Sequence, residues 1–516
     1  MSLGGYAHRQ RLSTDQALAS AAAARSRRDF LAATGKLAAA ASLGVAARPV
    51  WAAPRSSDLD VAIVGAGLAG LSCAITLQRA GIYATVYEAS PRVGGRCYSL
   101  RGVFPGQVAE RGGELIDNLH KTMLGYASAL GLTLEDMGKQ PGDVAYYVGG
   151  RHYAESVIVD EYRAFVTAMR DDLRTLSSEP SAAVNTAADV ALDRMSLAEY
   201  LATRRASPVL RAVIEEAYEA EYGLAAAEQS ALNFLLFIHA DRRSKFTPFG
   251  VFSDERYHVV EGNDAIASGL AEQLRGQVHT GMQLVAARKT SGNRVELALR
   301  EGSRTHVARH DAVVLTLPFT ALRDVSLDAS LALPPAKRRA IAELGYGMNA
   351  KTLVGFSGRP WSASGGNGAA YADLANVQTT WETNPSLATP TRAVITDYAS
   401  ASRGAALDPA RLQRQVGDFL RDFELVFPGA AAAASRDERG NYRAHLEAWP
   451  KNPLTKGSYT CYLPGQFTSI AGLEGTAVDN LFFAGEHTDS FYSWQGFMEG
   501  ACLSGIRAAG EVLARK

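Results

Sequence analysis

Three things are scarce in this 516-residue sequence. Cysteine is the first: Cys73, Cys97, Cys461 and Cys502 are too few and too scattered for a disulfide scaffold or a zinc site, and no metal is expected. Surplus charge is the second. Lys+Arg and Asp+Glu both number 53, giving a formal net charge of zero. Binding phosphate backbones needs clustered excess Lys and Arg, so no nucleic-acid partner is expected. The third is long apolar runs. Leu37 to Ala47 covers about 11 residues, where a membrane-crossing helix needs about 20, so no permanent anchor is expected. What remains, 47% hydrophobic and 21% charged residues, is ordinary globular composition. The length suggests two or three domains at roughly 150 residues each. Glycine is plentiful, with 48 residues, and its clusters carry the reading.

Ser26-Arg27-Arg28-Asp29-Phe30-Leu31 precedes that apolar run, and Val50-Trp51-Ala52 is an acceptable cleavage site. Paired arginines before Phe-Leu and a mild, Ala-rich segment resemble a bacterial twin-arginine (Tat) signal. Residues 1–52 are therefore read as a signal peptide handled by the Tat export machinery, and the protein is expected in the periplasm or outside the cell. That route carries folded, often cofactor-bearing cargo. Residues 1–52 hold seven of the basic and two of the acidic residues, so the remainder has 46 against 51 and is mildly acidic, about −5.

Residues 60–64 (DVAIV) read as a short buried strand. Gly65-Ala66-Gly67-Leu68-Ala69-Gly70 follows, then an apolar helix from Leu71 to Ala80 and a second strand, Ile82 to Tyr87, ending in Glu88. Gly65 suits a tight turn, Gly67 lets backbone approach a pyrophosphate, and Gly70 lets helix lie on strand. The helix N-terminus offers N–H groups to phosphate, and Glu88 can accept ribose hydroxyls. This order of strand, glycine loop, helix, strand and acid predicts dinucleotide binding.

Arg92-Val93-Gly94-Gly95-Arg96 and Glu110-Arg111-Gly112-Gly113-Glu114 come next. Far downstream stand Gly347-Met348-Asn349-Ala350-Lys351-Thr352, Gly457-Ser458-Tyr459-Thr460, Leu481-Phe482-Phe483-Ala484-Gly485-Glu486-His487-Thr488 and Trp494-Gln495-Gly496-Phe497-Met498-Glu499-Gly500-Ala501. Together these segments resemble the flavin-containing amine oxidase superfamily, which includes monoamine, polyamine and L-amino-acid oxidases. The resemblance implies an α/β fold. A Rossmann-type FAD-binding domain (57–122, 253–325 and 472–516) would join an α+β substrate domain (123–252 and 326–471) with a mixed sheet and a helical insertion.

The resemblance also implies roles. Arg96 and Gly95 would lie near the FAD pyrophosphate, and the Gly112-Gly113 backbone near the flavin ring. Val285 would face the adenine. Gly485, Glu486 and Met498 would contact the ribityl chain and pyrimidine. His487 falls in a stretch that the family uses for backbone contacts. Lys351 would reach flavin N5 through a water, and Tyr459, Phe497 and Trp494 supply an aromatic slot. Covalent relatives have cysteine before the first cage tyrosine; Ser458 stands there, so FAD is expected to bind non-covalently.

No arginine follows Gly113, where L-amino-acid oxidases of the superfamily usually carry one for the substrate carboxylate; Glu114 and Asp117 stand there instead. Asp117 aligns with a carboxylate that polyamine oxidases use for a distal ammonium. The expected reaction is oxidation of a small-molecule mono-, di- or polyamine to an imine, with O2 or another electron acceptor reoxidising the flavin and O2 giving peroxide. The alternatives are an L-amino-acid oxidase on the same fold, a flavin desaturase or dehydrogenase using another acceptor, and a non-catalytic flavin protein. The acid-rich run Glu215 to Glu221 reads as a solvated helix face or a cationic path, and Arg242-Arg243 could meet a carboxylate. Oligomeric state, including a homodimer, stays open.

Overall fold

The computed structural model describes residues 59–238, 246, 248, 253–389 and 391–515. The signal read over residues 1–52 and the pair Arg242-Arg243 lie outside them.

Val61–Val64 is a run of branched and small apolar residues without a break, and all four are buried. A strand covered on both faces belongs inside a parallel sheet. It is the middle of five, in the order Leu481–Phe483, Ala312–Leu315, Val61–Val64, Thr85–Tyr87, Val278–His279, and every pairing is parallel. The helices Leu68–Arg79 and Met498–Leu513 pack against each other beside this sheet. Residues 278–289 form two strands rather than one. Gly281 at φ +75° turns the chain between Val278–His279 and Gln283–Lys289, and the second piece joins a separate four-stranded sheet.

A second large sheet runs Ala444–Ala448, Ala350–Phe356, Ala393–Ala399, Thr379–Glu382, Gly366–Ala372, Asp143–Val148, Arg151–Tyr153. Gly366–Ala372 pairs parallel with Asp143–Val148 and the other pairs are antiparallel, so the sheet is mixed. Between residues 155 and 238 the chain is helical: Glu155–Thr175, Ala187–Asp193, Leu197–Thr203, Pro208–Tyr222 and Ala231–Ile238. Pro208 at the first turn, Ser207 capping Leu210 N–H and Gly223 closing the end at φ +77° fix the bounds of Pro208–Tyr222. The architecture is α/β, a parallel nucleotide-binding sheet beside a mixed sheet with a helical layer. No helix among the described residues is long and apolar enough to cross a membrane.

Candidate active site

A cavity of about 980 Å³ runs from the glycine loop at Gly65 to the helix Pro208–Tyr222. Its first end is built by sterics. Gly65 sits at φ +108°, and a Cβ on Gly70 would lie 1.9 Å from the Gly65 carbonyl oxygen, so this loop requires glycine at both places. The helix Leu68–Arg79 begins at Gly67 with no side-chain cap, leaving N–H groups for an anion. Glu88 accepts the Ala66 N–H at 2.7 Å on one oxygen and the Ser90 N–H at 2.8 Å on the other. Each oxygen keeps a lone pair for a ribose hydroxyl. Val285 lies at a register shift: Leu284 faces Leu299 and Ala286 faces Ala298, so Val285 opposes no residue of the neighbouring strand. A bulge of this kind leaves backbone groups open to a base edge. The donor set fits FAD.

Gly65, Gly67, Glu88, Gly95, Arg96, Gly112, Gly113, Val285, Gly485, Glu486 and Met498 all line the cavity. Gly70 does not; it acts behind the loop by letting the helix close on it. The Glu486 side chain is turned to its neighbours. One oxygen binds Arg96 at 2.9 Å, and the other accepts from Thr460 Oγ1 at 2.9 Å and Gly496 N at 3.1 Å. Its carboxylate ties three loops together and leaves its backbone to the cavity.

Tyr459 and Phe497 line the far half. The Tyr459 hydroxyl donates to Ala220 O at 3.3 Å and accepts from Tyr398 at 3.2 Å, which sets its ring. Trp494 corrects the reading. It is 4% exposed, does not reach the cavity, and packs edge-on against His120 at 4.5 Å and Phe497 at 5.8 Å. It backs the Phe497 ring and touches no substrate space. His487 is fully enclosed, edge-on to Phe319 at 4.4 Å, with no hydrogen bond to either ring nitrogen. Burial and nearby Arg96 drive its pKa far below the usual histidine range, so it stays neutral.

Lys351, at the start of Ala350–Phe356, is 4% exposed. Its ammonium donates to Glu114 Oε2 at 2.6 Å, Gly112 O at 2.7 Å and Glu110 O at 3.3 Å. All three hydrogens have protein acceptors, so the expected water link to flavin competes with the longest of these bonds. Glu114 is correspondingly no substrate ligand. Its second oxygen accepts from Trp381 Nε1 at 2.8 Å, and both oxygens are committed. Asp117 uses Oδ1 to hold Ser253 Oγ at 3.0 Å and Glu255 N at 2.8 Å. It shapes the loop that presents Glu255.

Several cavity residues escaped the sequence reading: Tyr398, Trp381, Tyr371 and Glu255. Of the acid-rich helix only Glu221 lines the cavity; Glu215 pairs with Arg211, and Glu216 and Glu219 with Arg403. Glu255 occupies a left-handed conformation at φ +43°, a strain that non-glycine residues keep mainly at functional positions. Burial, then repulsion from Asp117 and Glu114, lifts the Glu255 carboxyl to about 8. Burial also lifts Asp117 to about 7 and Glu221 well above the usual range. Among the described residues neither the Glu221 nor the Glu255 carboxylate has a hydrogen-bonding or ionic partner. The Ser458 hydroxyl donates to Asn349 Oδ1 at 2.5 Å, and Cys461 is buried away from the cavity against Asn233.

Known proteins share this fold. An L-amino-acid oxidase of Siganus canaliculatus is 25% identical over 472 residues, covering 87% of this chain and 84% of its own. A cyclohexylamine oxidase from Brevibacterium oxydans superposes with a TM-score of 0.74 at 22% identity, over 89% of this chain and 99% of its own. A putrescine oxidase bound to putrescine gives 0.73 at 20%, with the same coverage. At such identities the two structures speak for the fold alone. The flavin-containing amine oxidoreductase family matches residues 68–513, nearly the whole described chain. The chain belongs to that family, and it is an FAD-dependent amine oxidase.

Proposed function

We propose that this enzyme oxidises a primary amine carrying a second cationic nitrogen, a diamine or polyamine, to an imine that water converts to aldehyde and ammonia. The observation that carries this is the pair Glu221 and Glu255, open to the cavity next to Asp117 with no cation beside them among the described residues. The described arginines of the cavity are all committed elsewhere: Arg92 to Val93 O and Gly95 O, Arg96 to Glu486, Arg111 to Glu447, Arg300 to Gln283. Lys351 is held by Glu114. A substrate carboxylate finds no free cation among the described residues, whereas an ammonium finds two unpaired acids.

FAD, when bound, supplies the hydride acceptor and passes the electrons to O2, giving peroxide. The chain supplies position and electrostatics. Tyr459 and Phe497 confine the reacting carbon and nitrogen, fixing their approach. Burial among rings favours the neutral amine, which alone has a lone pair to release. Glu221 and Glu255 hold the distal ammonium, so the two nitrogens meet opposite environments and the substrate has one orientation. With Ser458 in place of a thiol, FAD is held without a covalent bond. Residues 1–52 direct export by the twin-arginine route.

Anaerobic mixing with α,ω-diamines, length-matched monoamines and L-amino acids, followed by loss of oxidised-flavin absorbance, tests the reading. Fastest bleaching by a diamine or polyamine is expected. Fastest bleaching by an L-amino acid would overturn it in favour of an amino-acid oxidase.

A further inference from the structure

The Lys351–Glu114 pair is unlike the other ion pairs of the cavity. Both side chains are 4% exposed, the charged atoms lie 2.6 Å apart, and each remaining polar atom is engaged. Trp381 and Tyr398 rings stand 5.5 and 5.6 Å from the ammonium. Tyr398 lies directly across the strand pair from Lys351, and Trp381 on the next strand over. Lys351 thus has an anion on one side, two carbonyls of the 110–112 segment on another, and π-faces on the rest. A buried ammonium is tolerated only with such compensation, and breaking one half of the pair leaves a bare charge. Gly112 belongs to the segment whose backbone lines the cofactor cavity, so that charge would act on whatever occupies it.

We infer that Glu114 is a positioning residue: it holds the Lys351 ammonium against Gly112 and keeps this wall of the flavin site electrically neutral. The charged and titratable groups facing the pair are Glu110 on the short strand Ala109–Glu110, Tyr398 on the mixed sheet and Glu255 from the acid loop. Glu110 is buried, takes Ser99 Oγ and Asn263 N–H, and burial lifts it to about 8. With Glu110 largely protonated at neutral pH, Glu114 is the anion that balances Lys351. The inference rests on flavin binding and not on the identity of the amine.

The test is the flavin midpoint potential of the holoenzyme, measured by dithionite titration against a reference dye, which needs no substrate. Glu114→Gln keeps shape and hydrogen-bonding capacity while exposing the flavin to the Lys351 charge. The ratio of reduced to oxidised flavin at fixed potential should rise on the order of tenfold, which is about 30 mV for a two-electron couple. Lys351→Met should shift the ratio the other way, and the double variant should return to within about threefold of the parent. Glu114→Asp, which keeps the charge, should also stay within about threefold. An unchanged potential in Glu114→Gln, or shifts of the same sign in Glu114→Gln and Lys351→Met, would overturn the inference. Should Glu114→Gln fail to retain flavin, the signs of Lys351→Met and the double variant decide it. Because no amine is present, a failure here is separate from a failure of the diamine reading.

Discussion

Replacing Glu221 with glutamine removes a carboxyl that is protonated in the empty site and ionises against a bound ammonium, and changes little else, since the side chain has no partner to lose among the described residues. Two unit charges at 4 Å and an effective dielectric of about 20 attract by about 4 kcal/mol. Desolvating both ions consumes part of that, and hydrogen bonds to charged groups retain about 1.5–3 kcal/mol. The kcat/KM for a diamine should therefore fall roughly 10- to 150-fold. A monoamine of the same carbon length should stay within about twofold, because its apolar tail never used the charge. The assay is peroxide-coupled steady-state kinetics with matched substrates, backed by anaerobic flavin reduction to separate binding from chemistry. The pH dependence has a definite sign. Glu255 at about 8 and Asp117 at about 7 hold protons in the empty site at neutral pH, and an ammonium binds the ionised forms. The diamine-to-monoamine ratio of kcat/KM should rise between about pH 6 and 9, and Glu221→Gln should flatten the rise. Equal losses for both substrates in the variant, or none for either, would refute the placement of the distal nitrogen.

Other consequences follow from the same geometry. The folded-state pKa of Glu255 is raised, so its contribution to stability in the amine-free protein falls as pH climbs from the ordinary carboxylate range towards about 8; the melting-temperature gain from a saturating diamine should grow over that window, as thermal shift will show. Acid precipitation should leave all the flavin in the supernatant, since Ser458 offers no thioether; flavin retained on the pellet would contradict non-covalent binding. Gly70→Ala drives a methyl into the Gly65 carbonyl at 1.9 Å, and overpacking of this kind costs about 1–3 kcal/mol or more, so purified protein should carry far less flavin, read from its visible absorbance. Lysines in place of Arg27 and Arg28 should keep the protein in the cytoplasm of a Tat-competent host, as fractionation will report.

The phosphate end of the site was legible because its logic is local. A strand, three spaced glycines, a helix and an acid lie within 30 residues, and each has a steric or hydrogen-bonding reason visible without the fold. Arg96, Lys351, Tyr459 and the Gly485 region came through resemblance, and all reach the same cavity. What stayed hidden depends on pairing between distant segments. Tyr398 faces Lys351 only once the strands at 350 and 393 are in register. Glu221 could not be told from Glu215, Glu216 or Glu219 by spacing, since the face of the helix that meets the cavity is chosen by tertiary contacts. Glu114 lacked any sign of Lys351 across 237 residues. Trp494 misled because it adjoins the Phe497 segment in sequence, while its side chain turns to the opposite side of the loop.

The parallel sheet also says something about when this protein can become an enzyme. Its central strand, Val61–Val64, gains one neighbour from Thr85–Tyr87, but the other waits for Ala312–Leu315, and that one in turn for Leu481–Phe483. Glu486, which knots Arg96 to Thr460 and Gly496, is made later still. Pairings of such sequence separation form slowly. The nascent chain carries its glycine loop from the start, yet it has nowhere to seat a flavin until translation has passed residue 486. Cofactor capture is thus a late event by construction.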